Sequence, residues 1–436
     1  AIAVPMLIIE VPFGKWSHLF YRPLAIFLAT VRETASKDSR VDVADLVAEV
    51  GETFMICLQC GTCTSVCPWN RVMSYSPRRI LRQLALETGT QASIDQAVWS
   101  CVTCNSCTVN CPRGIEIIDV IKAVRTLNVS SGRIPGSVEA PLDSLKANGN
   151  PWDGVRAKRL EWAGDLDLPV FKPEHEYCLF TCCTTAYDPN NRIAGRALPQ
   201  LLEYAGIAFG TLGAEESCCG DPAHKLGADK MFSELALKNT DRFLRAGVQK
   251  ILTTSPHCLN VFRNNYDGLK GSVASEHYTE LLDRLITAGR LRPILEVTGT
   301  VTYHDPCYLG RHHGIYEAPR RVLQSIPGLT LIEMASSRES SLCCGGGGGA
   351  WGEYPRSQRL GVLRVEEALG TGAEMIATAC PYCIRMLNDA VRELGVGDRI
   401  AVRDLAELLM QSVMMKDEAK MTEGVDLGID REVCHV

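Results

Sequence analysis

The spacing of apolar residues changes along this chain, and each pattern predicts a different kind of structure. Residues 1–9 and 19–31 are almost wholly apolar, yet neither run reaches the ~20 residues that cross a bilayer. The stretch SPRRILRQLALETG has apolar residues at helical spacing and predicts an amphipathic helix. From about residue 174, short β-branched runs (KILTT, TVTYH, MIATA) alternate with amphipathic helical stretches. That alternation predicts an α/β fold with ligands at the carboxyl ends of its strands.

The part of the chain beyond residue 174 repeats itself. A single shift of 125 residues aligns the cysteine landmarks, and AGVQKILTTSPHC falls on TGAEMIATACPYC. The aligned residues are Cys182 with Cys307, Cys218–Cys219 with Cys343–Cys344, and Cys258 with Cys383. We call residues 174–298 repeat 1 and residues 299–412 repeat 2.

Two runs of four cysteines precede the repeats, and each run is closed by a proline. Their spacing, C-x2-C-x2-C-x3-C-P, is the two-cluster ferredoxin signature, in which the fourth cysteine of each run ligates the other cluster. The predicted ligands are Cys57, Cys60, Cys63 and Cys111 for one cubane [4Fe–4S] cluster, and Cys101, Cys104, Cys107 and Cys67 for the other. Zinc sites or disulfides are the alternative, although zinc usually takes four ligands in two close pairs.

Composition limits the classes of protein that remain. At 436 residues the chain is long enough for about three domains, with 22% charged and 46% hydrophobic residues. The net charge of −6 and the lack of a dense Lys/Arg tract argue against nucleic acid as a partner, because phosphate binding needs a basic footprint. Clustered thiols among 20 cysteines in a chain of this size indicate metal ligation in a reducing compartment.

Repeat 2 resembles the cysteine-rich "CCG" domain of heterodisulfide reductases. The matching text is HDPCYLGRHHGIYEAPR, LCCGGGGGAWGE and ATACPYC. In that family five such cysteines hold a noncubane [4Fe–4S] cluster at which sulfur chemistry takes place. The resemblance therefore implies a catalytic cluster site at Cys307, Cys343, Cys344, Cys380 and Cys383. We expect the glycine run 345–349 to let a bulky substrate sulfur approach.

Repeat 1 departs from this pattern, because Ser255 stands where repeat 2 has Cys380. Its remaining candidate metal ligands are Cys182, Cys218, Cys219 and Cys258, with Cys183 as a spare. Three outcomes are open: a cluster with four ligands, a cluster that uses Cys183, or a degenerate empty site.

A wider likeness, to the family of DsrK and the D subunit of heterodisulfide reductase, extends over about residues 50–412. It includes GNPWDGVRAKRLEWA and TCCTTAYDP. It implies an α+β multi-domain protein in which a helical dicluster ferredoxin domain (33–128) precedes the two repeats. Residues 129–173 are expected to be a wrapping linker. The tail 413–436, with Cys434, resembles nothing that carries an inference.

The N-terminal text VPFGKWSHLFYRP resembles the end of the last helix of nitrate reductase gamma-type b cytochromes. That resemblance implies that residues 1–32 end a membrane helix, that His18 ligates haem b, and that the rest of a membrane domain precedes Ala1. The alternative is an amphipathic anchor whose histidine is merely interfacial.

Reduction of a disulfide consumes protons, so an acid is expected near the cluster of repeat 2. His304 and His312 are the catalytic candidates, with His313 beside them, although each histidine could instead bind a sulfide or the backbone. Arg311 could hold an anionic substrate group or form an ordinary salt bridge.

These observations predict a membrane-associated oxidoreductase with its soluble domains on the cytoplasmic side. We expect electrons to pass between a quinone and haem b module and a thiol/disulfide or trisulfide substrate, with further redox subunits as partners. One alternative is an electron-transfer subunit that links a flavoprotein or hydrogenase to the quinone pool. A second alternative is an oxidase-linked 2-hydroxy-acid dehydrogenase subunit.

Overall fold

The structure is a computed structural model that describes residues 43–87, 91–348 and 359–413. The predicted N-terminal membrane segment with His18, and the tail with Cys434, lie outside these residues. The described residues form two compact units. The first comprises residues 43–87, 91–146, 220–233, 345–348 and 359–360, and the second comprises residues 147–219, 234–344 and 361–413.

The first unit is helical, as predicted for the dicluster region. The expected amphipathic helix is confirmed at Pro77–Ala85, where the Ser76 hydroxyl accepts a hydrogen bond from the Arg79 N–H (3.2 Å) and caps the first turn. Ile80, Leu81 and Leu84 form its buried face. The other helices that lie in this unit or begin in it are Val43–Val50, Thr62–Ser65, Gln91–Ser100, Ser106–Val109, Ile117–Ser130, Gly136–Asn148, Asp221–Lys225, Asp229–Arg245 and Leu360–Leu369, with 3-10 turns at Thr53–Ile56 and Pro68–Arg71.

The second unit contains two parallel four-stranded sheets of identical strand order. In repeat 1 the order is β2-β1-β3-β4, and in repeat 2 it is β6-β5-β7-β8. The strands are Tyr177–Phe180 (β1), Phe209–Gly210 (β2), Lys250–Thr253 (β3), Ala274–His277 (β4), Gly299–Tyr303 (β5), Leu329–Leu331 (β6), Met375–Thr378 (β7) and Ala401–Asp404 (β8). The runs KILTT, TVTYH and MIATA lie in β3, β5 and β7, so their predicted strand character is confirmed.

Helices pack around both sheets and join the two repeats. Leu201 and Leu202 belong to the same buried core as Leu405 and Leu409, which lie in the other repeat. The hydroxyl of Tyr278, in repeat 1, donates hydrogen bonds to both carboxylate oxygens of Asp404 in repeat 2 (2.8 and 2.9 Å). The helices wholly within this unit are Cys183–Tyr187, Arg192–Tyr204, Pro256–Asn264, Tyr278–Thr287, Glu317–Gln324, Pro381–Leu394 and Leu405–Ser412.

The chain changes unit directly after each Cys-Cys pair. Residues 220–233 follow Cys218–Cys219, residues 345–348 follow Cys343–Cys344, and both segments belong to the helical unit. The contiguous boundaries predicted for the repeats did not anticipate these insertions. The predicted linker 129–173 also contains a regular element, the helix Gly136–Asn148.

Among the described residues, no helix is both long enough and apolar enough to cross a bilayer.

Candidate iron–sulfur sites

A cavity in the helical unit is lined by four thiols, and we call it the first thiol cavity. Its cysteines are Cys57, Cys60, Cys63 and Cys111, which is the set that the spacing predicts for one cubane. Burial raises the pKa of Cys63, and the facing thiols of the other three cysteines raise it further. Cys60 is exposed, so this cavity lies at the surface of the unit.

A second thiol cavity is lined by Cys67, Cys101, Cys104 and Cys107, again the predicted set. Burial raises the pKa of Cys67, and the charges of Cys104 and Cys101 add to this effect. Apolar side chains, among them Ile118 and Ile121, complete the lining.

The two cysteine loops have the same backbone shape. Gln59 and Gly61 in the first loop, and Thr103 and Asn105 in the second, all have a positive φ. These residues flank the second cysteine of each run, so both loops turn sharply at the same points. Such turns let three cysteines of one run face a common centre.

Arg125 is a buried charge close to the second thiol cavity. Its guanidinium donates hydrogen bonds to the carbonyl oxygens of Val98 (2.6 Å) and Cys101 (2.6 Å). It also donates to the carbonyls of Lys225 (2.9 Å) and Gly348 (2.5 Å), which lie in the segments that follow the two Cys-Cys pairs. Arg125 therefore ties both segments to the loop of the second cavity.

The glycine run after Cys344 has a packing role that differs from the expected one. A Cβ atom on Gly347 would lie 2.5 Å from the carbonyl oxygen of Val102, and one on Gly348 would lie 2.2 Å from that of Cys101. These two glycines therefore allow close backbone packing in the helical unit. The expectation that the run makes room for a substrate sulfur stays a prediction.

The five cysteines predicted for repeat 2 are all buried in the second unit: Cys307, Cys343, Cys344, Cys380 and Cys383. The thiols of Cys344 and Cys383 are 3.4 Å apart. Cys343, Cys383 and then His304 lower the pKa of Cys344 well below its ordinary value. Cys380 begins the helix Pro381–Leu394 directly after β7, at the carboxyl edge where the sequence pattern predicted ligands.

His304 is the histidine that the structure brings to these thiols. One of its ring nitrogens lies within 4.8 Å of the sulfur atoms of Cys344 and Cys383. The Nε–H of the buried Arg364 donates to His304 Nδ1 (3.0 Å), which assigns the ring proton to Nε2. Nε2 is buried and has no hydrogen-bond partner within the described parts of the chain. The imidazole is thus positioned to donate to a sulfur atom at this site.

His257, from repeat 1, also reaches the thiols of repeat 2. Although burial opposes it, hydrogen bonds from Cys383 and His257 lower the pKa of Cys380 to about 5. The His257 ring stacks on Tyr308 with centroids 4.1 Å apart, and Tyr308 stacks in turn on His312 at 3.9 Å. The sequence placed His257 only beside Cys258, because its contact with repeat 2 depends on how the two repeats pack.

Arg311, one of the other polar candidates, has structural partners. Arg311 donates to the carbonyl oxygens of Glu339 (3.0 Å) and Ser341 (2.7 Å), so it supports the loop that leads to Cys343. Burial lowers the pKa of His313 to about 4.

In repeat 1 the candidate ligands Cys182, Cys183, Cys218, Cys219 and Cys258 are also buried. Cys182 and Cys219 raise the pKa of Cys258 well above its ordinary value, and Cys218 does the same to Cys183. The Ser255 hydroxyl accepts a hydrogen bond from the His257 N–H (3.3 Å) and caps the helix Pro256–Asn264.

All-thiol donor sets of this kind fit iron–sulfur clusters, which supply one-electron chemistry when bound. The two thiol cavities contain the cysteine sets of the dicluster signature, and their lining includes no histidine among the described residues. The fold and these donor sets define a multi-cluster iron–sulfur oxidoreductase.

Comparison with known proteins agrees with this class. The family model described as "Cysteine-rich domain" (CCG) matches residues 177–263 and 301–388, and the "4Fe-4S dicluster domain" matches residues 54–115. The chain is 31% identical to the probable iron-sulfur-binding oxidoreductase FadF of Bacillus subtilis, over 94% of this chain and 68% of that protein. It is 34% identical to the EtfAB:quinone oxidoreductase of Syntrophomonas wolfei, over 73% of this chain and 47% of that protein.

A third relative is matched over nearly its full length. The chain is 30% identical to the D subunit of the dihydromethanophenazine:CoB–CoM heterodisulfide reductase of Methanosarcina barkeri, over 87% of this chain and 98% of that protein. The chain therefore belongs to the family of iron–sulfur oxidoreductases that includes FadF and the D subunit of heterodisulfide reductase.

Proposed function

We propose that this chain passes electrons between a quinone-linked membrane module and a disulfide or trisulfide that reacts at repeat 2. The membrane module would carry haem b, with His18 as one ligand, and further redox subunits would complete the assembly. The observation that carries the proposal is that His304 lies beside the thiols of Cys344 and Cys383, in a repeat whose five candidate cysteines are all buried. The name of the Methanosarcina relative, which is part of a heterodisulfide reductase, supports the same substrate class.

The proposed reaction balances as one disulfide, two electrons and two protons giving two thiols. We assign the cubane ligands to the two thiol cavities and the noncubane ligands to Cys307, Cys343, Cys344, Cys380 and Cys383. His304 would donate a hydrogen bond to a substrate or cluster sulfur through Nε2, with Arg364 holding its tautomer. His312 is the second candidate acid, since it is half-buried and stacks on Tyr308 beside Cys307.

The test is electron paramagnetic resonance of the full chain, purified without oxygen and oxidised, with and without small thiols such as glutathione, coenzyme A and mercaptoethanesulfonate. We expect a signal from repeat 2 that a thiol perturbs and that Cys380→Ser abolishes. Cys178→Ala is the matched control, since Cys178 is a buried thiol in strand β1. A repeat 2 signal that none of these thiols changes would contradict the disulfide proposal.

A second candidate function is transfer of electrons from a flavoprotein to the quinone pool. The first thiol cavity is open to solvent at Cys60, and Met55, Ile56 and Leu58 are exposed in the same loop. An apolar rim around a surface redox site is typical of docking to a protein partner. The name of the Syntrophomonas relative, an EtfAB:quinone oxidoreductase, supports an electron-transferring flavoprotein.

The two candidates differ in where the electron donor or acceptor binds. If a flavoprotein docks at the first thiol cavity, Leu58→Glu slows oxidation of a reduced electron-transferring flavoprotein by the full chain. Leu237→Glu is the matched control, because Leu237 is equally exposed but lies in the second unit. No oxidation of the flavoprotein by the wild-type chain would exclude this second function.

A further inference from the structure

Repeat 1 contains a complete set of five thiols that differs from the set in repeat 2. We propose that it holds its own iron–sulfur cluster through Cys182, Cys183, Cys218, Cys219 and Cys258, with Cys183 replacing the ligand that is missing at Ser255. This inference rests on the proposed function only for the assignment of clusters to the cysteine-rich repeats.

Ser255 is already committed to the helix that follows it. Its side chain is fully buried, and its hydroxyl accepts the N–H of His257 at the first turn of the helix Pro256–Asn264. A serine in this role satisfies an N–H that the helix leaves without an internal partner. In repeat 2 the equivalent Cys380 makes no such capping bond, so its sulfur is available to a metal.

Cys183 is positioned to supply the fifth sulfur. Its thiol interacts with that of Cys218, and its charge acts on neighbouring Cys182. Cys182 and Cys219 in turn both interact with Cys258. These interactions connect the five cysteines into one group. The Tyr266 hydroxyl donates a hydrogen bond to the Cys219 carbonyl oxygen (2.8 Å) and supports the backbone of that cysteine.

A buried arginine donates a hydrogen bond to the sulfur of Cys183. Arg159 Nη1 donates to Cys183 Sγ (3.4 Å), and Nη2 donates to the Thr181 carbonyl (2.8 Å). The other side of the guanidinium forms an ion pair with the buried Glu216 (3.1 Å). A metal-bound sulfur accepts hydrogen bonds well, so a buried guanidinium that donates to Cys183 supports this cysteine as a cluster ligand.

The same comparison indicates what this cluster does. In the strand register the residue of repeat 1 that corresponds to His304 is Phe180, which is buried in strand β1. Cys183 itself aligns with Tyr308, the residue of repeat 2 whose ring stacks on His312. Repeat 1 thus has the sulfur ligands but lacks, at the aligned position, the imidazole that faces them in repeat 2. We infer a cluster that stores or relays an electron and binds no substrate.

Iron analysis of the full chain, prepared without oxygen, tests this proposal. We expect Cys183→Ala to lose about four iron atoms and about four acid-labile sulfides per chain, because one cluster fails to assemble. Cys178→Ala, at a buried thiol on strand β1 of the same repeat, keeps the wild-type content. Adding Ser255→Cys to Cys183→Ala restores the iron, since it recreates the ligand set of repeat 2.

Mössbauer and electron paramagnetic resonance spectra then locate the loss. Cys183→Ala removes one set of signals and leaves the set that Cys380→Ser removes. Arg159→Met moves the midpoint potential of the first set to more negative values, whereas Arg159→Lys retains most of the wild-type potential. Unchanged iron in a folded Cys183→Ala variant, zinc in repeat 1, or a Cys183–Cys218 disulfide in the anaerobic protein would overturn the inference.

The result is separable from the proposed disulfide chemistry. If Cys183→Ala keeps its iron while a thiol still perturbs the repeat 2 signal, only this inference fails. If Cys183→Ala loses iron while no thiol perturbs repeat 2, the cluster stands and the disulfide proposal fails.

Discussion

Gly348 gives a direct measure of how tightly the segment after Cys343–Cys344 packs in the helical unit. Its φ is +70°, and a Cβ atom there would lie 2.2 Å from the carbonyl oxygen of Cys101 and 2.8 Å from the Cα of Val102. Both neighbours are backbone atoms, which cannot move aside as a side chain can. Gly348→Ala must therefore displace either the segment or the loop of the second thiol cavity.

The expected cost has two parts. A left-handed backbone costs a residue with a Cβ about 1–2 kcal/mol. Overpacking against fixed atoms adds about 1–3 kcal/mol. Gly372→Ala is the matched control, because its φ is +75° but nothing lies within 4 Å of its Cβ position, so it carries only the first cost.

Native-state hydrogen exchange of the anaerobic protein measures the difference. The Thr103 N–H, which donates to the Cys101 sulfur (3.4 Å), is the reporter in the loop. The two costs together, about 2–5 kcal/mol, correspond to about 30–5,000-fold faster exchange at the Gly348→Ala site than in the wild type, whereas about 1–2 kcal/mol at the Gly372→Ala site corresponds to about 5–30-fold. Equal local costs for Gly348→Ala and Gly372→Ala, each measured at its own site, would refute the close packing.

Three further outcomes follow from buried charges. Arg125→Met removes a positive charge that favours the reduced state of the cluster in the second thiol cavity. Its reduction potential, measured by redox titration, therefore falls by on the order of tens of millivolts. The control Arg125→Lys keeps the charge and shifts the potential less. His304→Phe lowers the potential of the repeat 2 cluster without changing iron content, because it removes a hydrogen-bond donor to sulfur. Burial, and then the charge of Glu407, raises the pKa of Asp404 to about 7, above its unfolded value near 4. The folded second unit therefore holds a proton that unfolding releases. Its free energy of unfolding falls by on the order of 2–4 kcal/mol between about pH 4 and pH 7 and is constant above that range. Asp404→Asn removes this pH dependence from denaturation curves.

The local parts of this architecture could be predicted from the sequence. The period of 125 residues and the β-branched runs located strands β3, β5 and β7, because strand formation follows side-chain patterns within a few residues. The ferredoxin spacing predicted two sets of four thiols, and the structure places each set around one cavity. The ligand assignments themselves stay predictions.

The parts that could not be predicted depend on segments far apart in the chain. Gly348 packs on Cys101, and Arg125 binds carbonyls of Lys225 and Gly348. A glycine run carries no sign of which backbone it will approach, so its position after a Cys-Cys pair was assigned to substrate access. In the sequence His257 is adjacent only to Cys258, whereas in the structure its ring lowers the pKa of Cys380.

The exchange of cysteine for serine between the repeats has consequences in both halves of the second unit. In repeat 1, Ser255 caps a helix, and this cap holds the backbone of His257. The ring of His257 then lies against Tyr308 and lowers the pKa of Cys380, so a residue of repeat 1 tunes a ligand candidate of repeat 2. A cysteine at position 255 that turned its sulfur to a metal would give up this cap and loosen the histidine. The serine is therefore better explained as a specialised residue than as the loss of a ligand. Cys183, which accepts a hydrogen bond from Arg159, is the cysteine that we propose as its replacement.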